Sequence, residues 1–187
     1  MSAITEMLKA HGVRFDGGLT EQEFTKIEQI YGVSFPKSLR DFYSEGVPTS
    51  DDTNAFPRWR DFSDENIAAI KSRITEPYEW LRDDVVKNGF WLPIWGERSV
   101  TSEAAGLLYD AVIKTAPVLI PVYSHRYIPA TDGINDPPVI STVGCDTIYY
   151  GSGLENYLHR EFMPEGYKLP LGDCATIPFW SDIINAD

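Results

Sequence analysis

At residue 117 the chain drops helical spacing for a succession of short β-forming runs, and this change of period constrains its fold more than any other feature. Residues 118–123, 126–129, 138–143 and 146–150 are rich in Val, Ile, Thr and Tyr, and turn formers separate them. Residues 130–137, Ala-Thr-Asp-Gly-Ile-Asn-Asp-Pro, read as a turn-rich loop between two of these runs. Gly153-Leu154-Glu155 then opens a helix through Tyr157, Leu158 and Phe162. The tail from residue 164 is irregular and Pro-rich, and its Phe179, Trp180, Ile183 and Ile184 predict that it docks.

Before residue 117 the pattern is helical. Thr20 and Glu23 have capping-box spacing, and Leu19 is placed to staple against Phe24. Phe24, Ile27, Ile30 and Tyr31 recur at helical intervals until Gly32 stops them. Pro36 opens a further helix with Leu39, Phe42 and Tyr43 on its buried face and Gly46 at its end. A short leading helix is expected over 4–10. Residues 47–54 read as a polar loop, and Ser63 caps a helix through Ile67, Ile70 and Ile74. Pro77 restarts a helical pattern that runs to Asn88-Gly89. A dense aromatic segment follows, 90–96, and then a helix over about 102–115. Helices, then a strand meander, then a helix predict an α+β fold in which N-terminal helices pack on an antiparallel or mixed sheet with a C-terminal helix. With no repeat and no low-complexity linker, 1–187 is expected to form a single domain.

The formal net charge is −12, and it is unevenly placed. After Ala130 there are nine acids and two bases, Arg160 and Lys168. This balance repels nucleic acid. It would steer a basic protein toward the chain, although acidity also serves plain solubility. The amino terminus has no basic segment followed by an apolar run, and no stretch approaches the ~20 apolar residues of a membrane span. Cys145 and Cys174 form no CxxC pair and no disulfide framework. These features lead to the expectation of a cytoplasmic, membrane-free protein, a monomer or weak homo-oligomer.

Motifs for catalysis are sparse. Gly151-Ser152-Gly153 lacks the third glycine and the lysine of a phosphate loop and reads as a strand-to-helix turn. No Gly-x-Ser-x-Gly elbow occurs. His11, His125 and His159 match no metal spacing, and Glu155 with His159 reads as a solvated i,i+4 pair. His125 is the candidate general base, with Asp132, Asp136 or Asp146 across the meander as its carboxylate; the plainer reading is a turn residue bonded to its loop. Cys145 has no activating neighbour in sequence and is expected to be buried or structural. No cofactor and no metal are expected.

Several of these segments resemble the SUKH superfamily. Leu19-Thr20-Glu21 through Ile27-Glu28, Tyr31-Gly32-Val33-Ser34-Phe35-Pro36 and Leu39-Arg40-Asp41-Phe42-Tyr43 are similar to its opening, with Glu45-Gly46 where the family usually has Asn-Gly. Leu119-Ile120-Pro121-Val122-Tyr123 resembles its hydrophobic-Pro-hydrophobic strand. Asp146 to Gly151 with Leu154 to Leu158 resembles its closing strand and helix. The likeness spans about residues 19–162, leaving 163–187 as a docked tail. It implies an α+β fold without catalytic residues. It also implies a role as bacterial immunity protein against a polymorphic toxin, often a nuclease, or as a scaffold of the fungal kind.

Three readings follow. The first is a non-catalytic inhibitor of a basic toxin enzyme, binding through Asp51, Asp52, Phe56 and Trp59 and through the loop carrying Asp132 and Asp136. The plainer reading of Trp59 and Trp95 is that they are core. The second is a scaffold or regulatory binding module with several partners. The third is a small enzyme using His125 with a nearby carboxylate, which requires a ligand-sized cleft around that residue.

Overall fold

The computed structural model describes residues 2–49 and 55–186. Ser2 caps α1 (Ala3–Ala10). At α2 (Glu21–Tyr31) the capping box is complete: Thr20 Oγ1 accepts from Glu23 N at 3.3 Å, and Glu23 Oε2 accepts from Thr20 N at 2.8 Å. Gly32 closes α2 in the left-handed region, at φ 65°, where a side chain would be strained. Pro36 precedes α3 (Lys37–Glu45), which buries Leu39, Phe42 and Tyr43 as its periodicity predicts.

Two elements differ from the sequence reading. Residues 47–49, read as loop, are strand: β2 (Gly46–Thr49) pairs antiparallel with β1 (Arg14–Gly17), with Phe15 opposite Pro48. Four-residue strands holding Gly and Pro carry no readable alternation, so only pairing reveals them. Nor does Pro77 begin a new helix. It lies buried inside α4 (Asp64–Asp83), which runs on as a π-helical turn, Asp84–Asn88, to Gly89. Burial of the proline ring offsets the lost N–H bond that normally ends a helix there.

α5 (Ser102–Val112) leads to the main sheet: β3 (Leu119–Tyr123), β4 (Arg126–Pro129), β5 (Val139–Val143) and β6 (Asp146–Gly151), in sequential antiparallel order. α6 (Leu154–Phe162) and α7 (Trp180–Ile184) complete an α+β fold. Alternation along the strands splits the interior into two clusters, one on each face of the sheet. Ile120, Val122, Ile128 and Val139 join α1, α2, α3, the first half of α4 and α6. Leu119, Tyr127 and Ile140 join Leu81, Val85, Ala105, Tyr109 and the docked tail residues Ile177, Phe179, Trp180 and Ile183. Arg73 of α4 is buried at the rim, its guanidinium donating to the carbonyls of Ser124, at 2.9 Å, and Ala55, at 3.3 Å.

One ion pair ties the capping box to the rest of the fold. Arg60 Nε donates to Glu23 Oε1 at 2.7 Å, and the same guanidinium donates to the carbonyls of Gly17 and Gly18. The Arg60 bond and the Thr20 cap together hold Glu23 down to about 2, from 4.5. A carboxylate depressed by folding stabilises above its unfolded pKa and loses that contribution as pH falls through the folded one. Wild type is therefore expected to lose about 1 kcal/mol, discounted for partial exposure, between pH 4.5 and about 2. Glu23→Gln should remove this part of the acid slope in urea titrations at stepped pH.

Candidate functional site

Two of the residues expected at a recognition surface are core residues instead. Trp59 is 0% exposed, and its ring meets Phe35, Tyr31 and Tyr43 edge-on at centroid distances of 5.3, 5.5 and 6.3 Å. Phe56 is 3% exposed and packs against Tyr123 at 4.9 Å and Phe162 at 5.8 Å. Neither can anchor a partner, because the aromatic surface is already removed from water within the fold. Trp95 is half-buried, stacked on Phe179 at 5.4 Å. Asp51 and Asp52 lie outside the described residues.

The loop between β4 and β5 divides in two. Asp132 is exposed beside Gly133. Asp136 turns back on the body, and its Oδ1 accepts the N–H of Leu154 at 2.9 Å, capping the first turn of α6. A second tie, Ser38 N to the Asn135 carbonyl at 2.8 Å, holds the same loop against the start of α3.

These ties frame a groove of about 280 Å³ between α1, α3, the 135–136 loop and α6. Its floor is apolar: Ile4, Phe42, Leu154 and Leu158, all buried. Around the floor stand, among the described residues, four carboxylates, Asp41, Glu45, Asp136 and Glu155, and one ammonium, Lys37. Lys37 is already bonded to Asp41 one turn along α3. Glu45 is fixed by α1: its Oε2 accepts from Ser2 N at 2.8 Å, Ser2 Oγ at 2.7 Å and Thr5 Oγ1 at 3.0 Å. The Ser2 bonds, foremost, hold its carboxyl below the usual range, so it stays ionised at neutral pH. An apolar floor with an anionic rim is shaped for a long cationic side chain, whose stem desolvates while its head stays bonded to carboxylates.

Of the residues named from sequence as partner-binding, Asp136 alone lines this groove. Asp41, Glu45 and Glu155 were missed because they come from segments more than a hundred residues apart, and only the packing of α1 and α3 beside α6 joins them.

A second cleft, about 320 Å³, is lined by Asp16, Val47, Pro48, Thr49 and residues 58–61. Its two arginines are paired locally: Arg60 with Glu23, and Arg58 with Asp61 at 4.0 Å. A third, near Ile94 and Asp182, is also about 280 Å³.

His125 sits in the β3–β4 turn, with its Nδ1 3.1 Å from the Ser124 hydroxyl. Burial, and then the charge of Arg126, lower its pKa, while Asp146 opposes them. None of the three clefts is lined by His125. Cys145, expected to be buried or structural, is exposed in the β5–β6 turn. Its strand surroundings end one residue early, where Gly144 takes φ 63° and the Cys145 N–H donates to Asp84 Oδ2 at 2.7 Å. Among the described residues no cluster of three His, Cys, Asp or Glu side chains is placed to hold a metal, and no helix is long and apolar enough to cross a membrane. Comparison of the chain with protein-family models, curated proteins and solved structures found no match.

Proposed function

We propose that this chain is a SUKH-type, non-catalytic binding module of the cytoplasm that neutralises a basic toxin enzyme by occluding it, with the acidic groove as its docking site. One observation carries the reading: among the described residues, four carboxylates converge over an apolar floor with one lysine, already paired. A nuclease needs cations to hold its polyanionic substrate, and a −12 protein is the electrostatic complement of such a surface. The long-range field speeds encounter, and an arginine or lysine seated in the groove slows release. The motif likeness over residues 19–162 supports the same reading.

The test is co-expression with the product of the neighbouring open reading frame, scored for rescue of growth, followed by calorimetry of the purified pair. Affinity should fall steeply as salt rises. The combined variant Asp41→Asn, Glu45→Gln, Glu155→Gln should weaken binding at least about 100-fold, with the melting temperature monitored in parallel. Asp136 is left intact because its loss would unfasten α6. Binding indifferent to both salt and the triple variant would sink the groove as the docking site. Capture of several endogenous proteins with no growth rescue would favour a scaffold.

A further inference from the structure

α5 is amphipathic in a way that folding does not use up. Its inner face buries Ala105, Gly106 and Tyr109. Gly106 sits so close to Arg82 and Val86 that a Cβ there would come within about 3.1 Å of both side chains. The opposite face carries Ala104, Leu107, Leu108 and Ala111, at the i, i+3, i+4, i+7 spacing of a helix-packing seam. Leu107 is 64% exposed and Leu108 43% exposed. Val100, just before the Thr101 cap, is fully exposed as well. Scattered exposed leucines are ordinary, but two adjacent ones centred on a continuous apolar stripe form a patch.

The order of that stripe is palindromic: small, large, large, small. Laid antiparallel on itself about the Leu107–Leu108 midpoint, it sets each Ala104 against the other copy's Ala111 and lets the leucines interdigitate between them. The flanking charges obey the same symmetry. Glu103 lies beside the stripe in the first turn of α5, and Lys114 lies near its other end in the 3-10 turn 113–115 that continues the helix, both exposed. Antiparallel packing brings like flanks together, so Glu103 of each copy faces Lys114 of the other. Parallel packing would bring unlike flanks together, and Glu103 would then have no Lys114 opposite it.

We infer that this face is a homodimer interface, two copies of α5 crossing antiparallel about a two-fold axis. One 11-residue helix offers less than the about 800 Å² per partner of a standard interface, so the dimer is a weak one, populated in the high micromolar range. Salt should strengthen it, because screening relieves the repulsion between two −12 bodies more than it weakens two exposed ion pairs. That sign is opposite to the one expected for a basic partner in the groove, which lies on other elements.

Sedimentation equilibrium of the full chain over a wide concentration range tests this, at low and high salt. The expected result is a reversible dimer whose Kd rises at least about tenfold with Leu107→Glu, an exposed substitution that leaves the melting temperature unchanged. Lys114→Glu alone should weaken the dimer, and Glu103→Lys with Lys114→Glu should restore it. A monomer at every concentration, or a dimer indifferent to Leu107→Glu, overturns the interface. A dimer weakened by Leu107→Glu but not restored by the charge swap overturns the antiparallel arrangement.

Discussion

Trp59→Ala is expected to destabilise the protein by about 4 kcal/mol, read from the urea midpoint with an unchanged m-value. The indole is 0% exposed and is the hub of an aromatic set that also holds Tyr31, Phe35 and Tyr43. Its removal leaves a cavity walled by rings on α2, on α3 and on the segment between them, which cannot collapse inward without shifting both helices. Trp59→Phe keeps most of the volume and should cost roughly half as much. At a temperature where Trp59→Ala remains folded, its affinity for a basic partner should equal wild type, since the side chain presents no surface. A normal melting temperature combined with lost binding would mean that Trp59 is a contact residue.

Gly18→Ala is expected to be as damaging, at least about 3 kcal/mol, and it would bear on the groove from behind. A Cβ at residue 18 would lie 1.8 Å from the Ser44 carbonyl oxygen and 2.5 Å from its carbon. Those are backbone atoms of α3, so no rotamer change relieves the overlap. Two bonds hold the approach closed: Leu19 N donates to the Tyr43 carbonyl at 2.8 Å, and Arg60 donates to the Gly18 carbonyl at 2.6 Å. The chain must therefore push the C-terminal end of α3 away, carrying Glu45 off its Ser2 and Thr5 partners. Thermal melting should register the loss. If Gly18→Ala melts like wild type, α3 is less tightly pinned than these contacts require, and the rigid groove wall goes with it.

The helix boundaries and the strand meander were legible because their causes are local. Thr20 with Glu23, the left-handed Gly32, and Gly46 after Leu39, Phe42 and Tyr43 each act within a few residues of themselves. The β-rich runs between residues 118 and 150 needed no partner to be recognised, and the apolar positions at 179–183 marked a docking tail. Pro77 misled for the same reason. Its local effect is to end a helix, and only the core around it shows why α4 continues. The exposure of Cys145 was not legible from its neighbours in sequence, since the strand stops at Val143 and the turn carries the thiol out to the surface.

Whether an aromatic faces water could not be read from its type, because Phe56 and Trp59 are equally suited to a core and to an interface. Nor could the convergence of carboxylates be read from their number. Asp41 and Glu45 share one helix face, but Asp136 and Glu155 reach them only because α6 packs beside α1 and α3. By itself, then, the sequence determined most of the helices, the strand meander, the α+β class and an excess of negative charge, all of which depend on short-range pattern or simple counting. The tertiary structure alone decided which aromatics are spent on the core, where the acids gather and which helix face is left bare. Each of those depends on contacts between residues far apart in the chain, and such contacts leave no mark on local periodicity.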